Sequence, residues 1–286
     1  MIICGCYERS LLGFDFQDST LVPVFQHVSH VDAVKAVTSC SRYFASGSTD
    51  EVVHIFDAVK RKELSSLFCH SASVEAIQFT PNKTFLLSGD VSGRLCLVRT
   101  SDFNLVTSIS LDSSIVSISV HPTSKIAVVL TKDGGFHIID VASFRILGQK
   151  LVESEPIKCI FSKDGSKAVI VTIKNLVIVD LNSEAELVVS MPGPSKDVCL
   201  FNDLLVITNG KNVGIYNFQG EKLGVEFVYS QRIRTLSALG RNHIVITGST
   251  GLLSVYSVVI EQSVPVRLEL VCFKDLGCRP TCLCIV

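Results

Sequence analysis

Four thiols near the two ends of the chain offer the first chemistry to weigh: Cys4 and Cys6, then Cys282 and Cys284. Residues two apart on a β-strand point to one face. If the two end segments pair, the four sulfurs gather where tetrahedral zinc would need them. Cys-x-Cys on a flat strand departs from the ligand spacing of zinc knuckles, so the thiols read as small core residues and no metal is expected. Other reactive sets are missing from the sequence. No Gly-x-Ser-x-Gly is present, and Gly248-Ser249-Thr250-Gly251 is a turn between strands. His54 and His137 occupy one position of a repeat, which marks them as repeat residues rather than catalysts. No Gly-rich phosphate loop precedes a helix. The expectation is a protein that is not an enzyme and needs no cofactor.

The elements that carry these residues are constrained by composition. The chain has 286 residues, 47% hydrophobic and 19% charged, with 26 Lys+Arg against 27 Asp+Glu and a net charge of −1. That balance excludes disorder and excludes the basic stripe of a direct nucleic-acid binder. Eleven cysteines, an odd number, suit a reducing compartment. The start MIICGCYERS carries no signal-peptide pattern and no apolar run nears the length of a membrane helix, so a soluble intracellular protein without membrane partners is expected.

The organisation is a repeat of about forty residues. CGCYERSLLGFD (4–15), SGSTDEVVHIFD (46–57) and SGDVSGRLCLVR (88–99) stack without gaps, with Gly5, Gly47 and Gly89 in one column. Further copies close at Ile139-Asp140, Val179-Asp180, Tyr216-Asn217 and Tyr256-Ser257. Each copy reads as two short strands around a polar turn, with Gly47-Ser48-Thr49-Asp50 taken as turn chemistry. A strand precedes each copy and another follows, and four strands per forty residues is the pattern of a propeller blade.

The expected fold is all-β: a seven-bladed propeller in one domain, 1–286. Six blades fall near 32–68, 73–109, 114–150, 156–190, 195–228 and 233–272. The N-terminus supplies three strands, near 1–26, and the C-terminal stretch 279–286 supplies the fourth of a seventh blade. Pairing the ends removes the exposed edges of an open ring.

The closing pairs and the Gly-Ser-x-Asp turn resemble the WD-repeat family. In that family a turn Asp bonds a His ahead of the blade, the His bonds a Ser or Thr, and that residue reaches a Trp. His30, Ser46, Asp50 and Phe56 hold those positions here, a structural remnant ending in Phe, since the chain has no Trp. In the next blade His70 matches, with Ser92 in place of its Asp. A closer resemblance is to the WD-repeat proteins that interact with p21-activated kinase and assist large-ribosomal-subunit assembly. It rests on Gly5, Cys6, Tyr7, Glu8, Gly13 and Phe14, on Asp50-Glu51, His54-Ile55 and Asp57, on His70-Ser71 and His121-Pro122, and on Arg279-x-Thr281-Cys282-Leu283.

That resemblance implies a scaffold in 60S biogenesis that also restrains p21-activated kinase, with pre-ribosomal factors and the kinase regulatory region as partners. It implies a nuclear or nucleolar address, although the Lys-rich tail common in that family has no counterpart before Val286. The chain is expected to be a monomer. Binding residues concentrate on loops of a rigid scaffold. The partner face is expected to carry Tyr7, Glu8, Arg9, Glu51, His70, Arg94, Asp133 and Arg232. The alternative is a propeller for phosphoinositides, trafficking or ubiquitin-ligase assembly. Gln231-Arg232-Ile233-Arg234 is its nearest feature and lacks the Phe-Arg-Arg-Gly of phosphoinositide binders.

Overall fold

The computed structural model describes residues 1–183, 185–224, 227–260 and 266–286. Parts of three expected blade ranges, at 184, 225–226 and 261–265, lie outside the described residues. Every element described is a strand. The strands form seven four-stranded antiparallel sheets arranged as the blades of a propeller ring.

The second blade shows how sequence makes a blade. Its strands are Val34–Cys40, Tyr43–Ser48, Val53–Asp57 and Lys62–Leu67, from the channel outward. The two middle strands are buried almost throughout, since neighbouring blades cover both their faces. The outer strand KELSSL is largely exposed. Tyr43, Phe44, Val53, Ile55 and Phe56 supply the aromatic and β-branched surface of the middle strands, and Ala45, Ser46, Gly47 and Ser48 keep the rest thin enough to be covered on both sides.

The cores lie between blades rather than within them. Leu87, Leu95 and Leu97 of one blade pack with Ile115, Ile118, Val129 and Ile139 of the next. Burying each such side chain contributes about 1.5–3 kcal/mol. The glycine column explains how the blades come this close. A Cβ on Gly47 would lie 2.6 Å from Val74 Cγ1, the first inner-strand residue of the following blade. Gly5 meets Val34 at 2.7 Å and Gly89 meets Ile115 at 2.7 Å in the same way. Gly47 and Ser48 therefore belong to a strand, and the turn proper is 49–52, a correction to the turn reading of Gly47. The repeated Asp of the closing pair has its own task. Asp57 Oδ1 accepts the Val59 and Lys60 N–H groups, at 2.9 and 2.8 Å. Asp140 and Asp180 cap their following turns likewise.

The ring closes through the C-terminal strand Pro280–Ile285, which pairs antiparallel with Ile2–Cys6. Ile2 faces Ile285 and Cys4 faces Leu283. The terminal groups meet as well: Val286 N donates to Met1 O at 2.9 Å.

Candidate functional site

On one end of the ring gather the turns between second and third strands and the loops entering each blade. In the second blade, burial pushes the His30 imidazole below its ordinary pKa, against the pull of Asp50. The neutral ring donates from Nδ1 to Asp50 Oδ2 at 2.9 Å, and Nε2 accepts from Ser46 Oγ at 2.8 Å. Asp50 also takes the Val31 and Val52 N–H groups, at 2.9 and 3.1 Å. Burial opposes its ionisation, but these donors hold its carboxyl below the usual range. Phe56, at the end of the remnant, stacks on Phe44 with centroids 4.6 Å apart. Stacking and apolar burial take the place of the indole hydrogen bond.

The third blade rebuilds the same device with a different acid. His70 Nδ1 lies 2.8 Å from Asp90 Oδ2 and Nε2 lies 2.7 Å from Ser88 Oγ. Asp90 ends the strand Phe85–Asp90, two positions ahead of Ser92. Ser92 does not take the place of the acid; its N–H and hydroxyl both donate to Asp90 Oδ1. The His70 side chain has no exposed surface, so it is a brace and not a partner contact. Burial opposes its protonation, yet Cys69 and Asp90 raise its pKa above the ordinary value. The ligand-type atoms of Cys69, His70 and Cys96 lie within 4.8 Å of one another, as do those of His30, Asp50 and His54. In both sets the ring nitrogens of His30 and His70 are already engaged by the blade.

In the closing blade the turn acid is Glu8, and its partner comes from the other end of the chain. Arg279 donates to Glu8 from its backbone N and its Nε, each at 2.8 Å. Tyr7 N donates to Arg279 O at 2.8 Å, and the guanidinium lies 4.2 Å from the Tyr7 ring centroid. Burial opposes ionisation of Glu8, but the Arg279 hydrogen bonds lower its pKa. The bond from the Arg279 backbone N–H to Glu8 repeats the one from the Val31 N–H to Asp50, which places Cys278 where the other blades have His30 and His70. Cys278 Sγ lies 2.8 Å from Cys6 Sγ. Cys4, Cys6, Cys282 and Cys284 share the closing blade, but they do not form one set within 4.8 Å among the described residues.

Of the remaining expected face residues, Tyr7 is 54% exposed, and Arg9, Glu51 and Arg232 are exposed. Arg9 and Glu51 share one turn position and one backbone conformation, φ 68° and 69°. Asp133 is exposed, but its carboxylate accepts from Thr131 Oγ1 at 2.6 Å and braces its own turn. Arg94 is half-buried, with Nη2 3.4 Å from Ser108 Oγ and Nε buried without a partner. Tyr7, Glu8 and Arg279 form one cluster; Arg94 and His70 line another hollow beside Cys69. Sequence reasoning did not single out Asp90 as a brace or Arg279 as the counterion of Glu8. The one signal for the latter was the alignment of Glu8 with Asp50, which called for a partner in the preceding loop.

Comparison with known proteins adds to this geometry. Residues 20–57 and 61–98 match the WD domain, G-beta repeat. A p21-activated protein kinase-interacting protein 1-like of Danio rerio is 25% identical across 99% of this chain and 80% of its own length. Shk1 kinase-binding protein 15 of Schizosaccharomyces pombe is 22% identical over 94% of this chain and 82% of its own. Protein MAK11 of Saccharomyces cerevisiae is 29% identical over 44% of this chain and 37% of its own.

Proposed function

We propose that this WD-repeat β-propeller, which resembles the p21-activated protein kinase-interacting proteins along nearly its whole length, is a non-enzymatic scaffold in assembly of the large ribosomal subunit. The observation that carries the reading is similarity across nearly all of this chain to relatives whose names describe kinase interaction, together with the likeness of part of it to Protein MAK11. Binding of a p21-activated kinase regulatory region is the second activity of the same scaffold. The protein acts in the nucleus or nucleolus, as a monomer, through protein partners. The turns of the His30/Asp50 end supply the contacts, with Tyr7, Arg9, Glu51 and Arg232 free to reach a partner. No helix among the described residues is long and apolar enough to cross a membrane.

Affinity purification of the tagged chain followed by mass spectrometry tests this. Large-subunit precursors and their assembly factors are the expected harvest. A set made of trafficking or ubiquitin-ligase proteins, without such factors, refutes the reading. Tyr7→Ala combined with Arg9→Ala is expected to reduce that harvest, with little change in melting temperature beyond the ~0.5–1 kcal/mol of an exposed cation–π contact.

A further inference from the structure

Each inner strand carries one residue that the pairing skips. The register shifts between Val34 and Ala36, Val74 and Ala76, Ile115 and Ser117, Pro156 and Lys158, Ser195 and Asp197, and Ile233 and Thr235. In the closing blade Gly5 faces Cys282 while Cys6 faces Pro280, so Thr281 is skipped. A bulge re-aims its extra side chain. Here seven bulges at matching positions aim theirs at one place, and all seven line a single central cavity of about 540 Å³. They lie at the end of the ring that carries Tyr7 and Asp50, so they form the rim of the channel on the proposed partner face.

The rim is chemically divided. In ring order, Lys196, Arg234, Thr281 and Lys35 form one arc, Glu75 follows, and Val116 and Ile157 complete the circle. Lys35 is paired with Glu75 at 3.5 Å. Beyond the rim, Lys158 is held by Asp197 at 2.6 Å, and Asp197 is also occupied by Thr235 Oγ1 and Leu236 N. The Thr281 hydroxyl is spent on the Gly5 and Val34 carbonyls. Lys196 and Arg234 remain: adjacent, exposed, and without a carboxylate partner among the described residues. Next to this basic pair on the rim stand two apolar side chains, Ile157 beside Lys196 and Val116 beyond it, and Glu75 lies across the channel.

We infer that the channel mouth binds an acidic, partly apolar segment of a partner protein, its carboxylates on Lys196 and Arg234 and an apolar side chain against Val116 and Ile157. This rests on the protein-scaffold reading above and adds the partner's chemistry. A guanidinium takes a carboxylate in a two-point contact, and an ammonium beside it adds a point charge. Glu75 repels a carboxylate and so sets the direction in which the segment lies. Nucleic acid is the poorer occupant. Its affinity is built from many phosphate contacts along a basic track, whereas here two free cations sit in a chain of net charge −1.

The test is fluorescence anisotropy on the full chain with three labelled probes: a short peptide alternating Glu and Leu, its Lys/Leu counterpart, and a single-stranded RNA. The Glu/Leu peptide should bind best, with affinity falling as salt rises. Lys196→Ala combined with Arg234→Ala should weaken it about tenfold or more, the worth of a charge-assisted hydrogen bond. Both side chains are exposed, so the melting temperature should hold. Lys60→Ala, at the opposite end of the ring, should change nothing. Equal binding of the Glu/Leu and Lys/Leu peptides, an unchanged affinity in the double variant, or tighter RNA binding that displaces the peptide overturns the assignment. Purification of ribosomal partners by the double variant at native yield would likewise overturn it, while leaving the scaffold reading intact.

Discussion

Asp197→Ala should cost about 3–5 kcal/mol, because one carboxylate, 7% exposed, joins three blades. One oxygen takes Lys158 Nζ at 2.6 Å from the blade before and Val198 N at 2.8 Å from its own. The other takes Thr235 Oγ1 at 2.6 Å and Leu236 N at 2.9 Å from the blade after. Removing the carboxylate strands two buried backbone N–H groups, at ~1–3 kcal/mol each. Lys158 is 37% exposed and recovers much of its hydration, so its loss of a partner adds little. The two stranded groups together account for about 2–6 kcal/mol, a range centred on the expected loss. At about 2–4 °C per kcal/mol for a chain of this size, the melting temperature should fall roughly 10 °C. Asp197→Asn keeps one acceptor oxygen and should lose about half as much. Urea titration with an unchanged m-value gives the free energies. Lys158→Met alone should be mild, and combined with Asp197→Ala it should cost less than the sum of the two, because the ion pair is counted once. A loss below ~1 kcal/mol for Asp197→Ala would refute the view that this carboxylate ties the blades together.

Three further outcomes are expected. Gly47→Ala places a methyl against Val74 and should cost ~1–3 kcal/mol by overpacking, while Gly47→Ala with Val74→Ala should recover part of that; no recovery in a urea titration argues against the close approach. Deleting residues 280–286 exposes the edge Ile2–Cys6 and should abolish the cooperative melt or cause aggregation; an equally stable soluble truncation contradicts ring closure. His30 and His70 should tune stability in opposite directions around the ordinary histidine value of 6.5. His30 has a depressed folded pKa, so its contribution is present above 6.5 and is lost as pH falls through the folded value. His70 has a raised folded pKa, so its contribution is full below 6.5 and is lost as pH climbs through the raised value. Melting curves of His30→Gln and His70→Gln against the native protein, taken across that range, check the signs, and the same sign for both would show the environments misread.

The forty-residue period, the blade count and the pairing of the two ends were legible in the residues themselves. Each blade is a local meander whose strands alternate with turns, so its pattern is written in contiguous sequence, and seven copies with three strands at one end and one at the other leave a single way to close the ring. The His30–Asp50–Ser46 chain was legible too, because its members sit at family spacing within one blade. What the tertiary structure decided lies between blades. Gly47 reads as a turn residue within its own repeat, but Val74 of the next repeat occupies the space a side chain there would need. His70 found Asp90 rather than position 92 because a carboxylate two residues earlier reaches the same ring from the strand end. Glu8 and Arg279 meet across 271 positions of sequence. The rim of the channel depends on a one-residue slip in every inner strand, and a slip of register leaves no mark in composition or periodicity. It is a matter of how two strands pair and bend, and only the folded blade displays it.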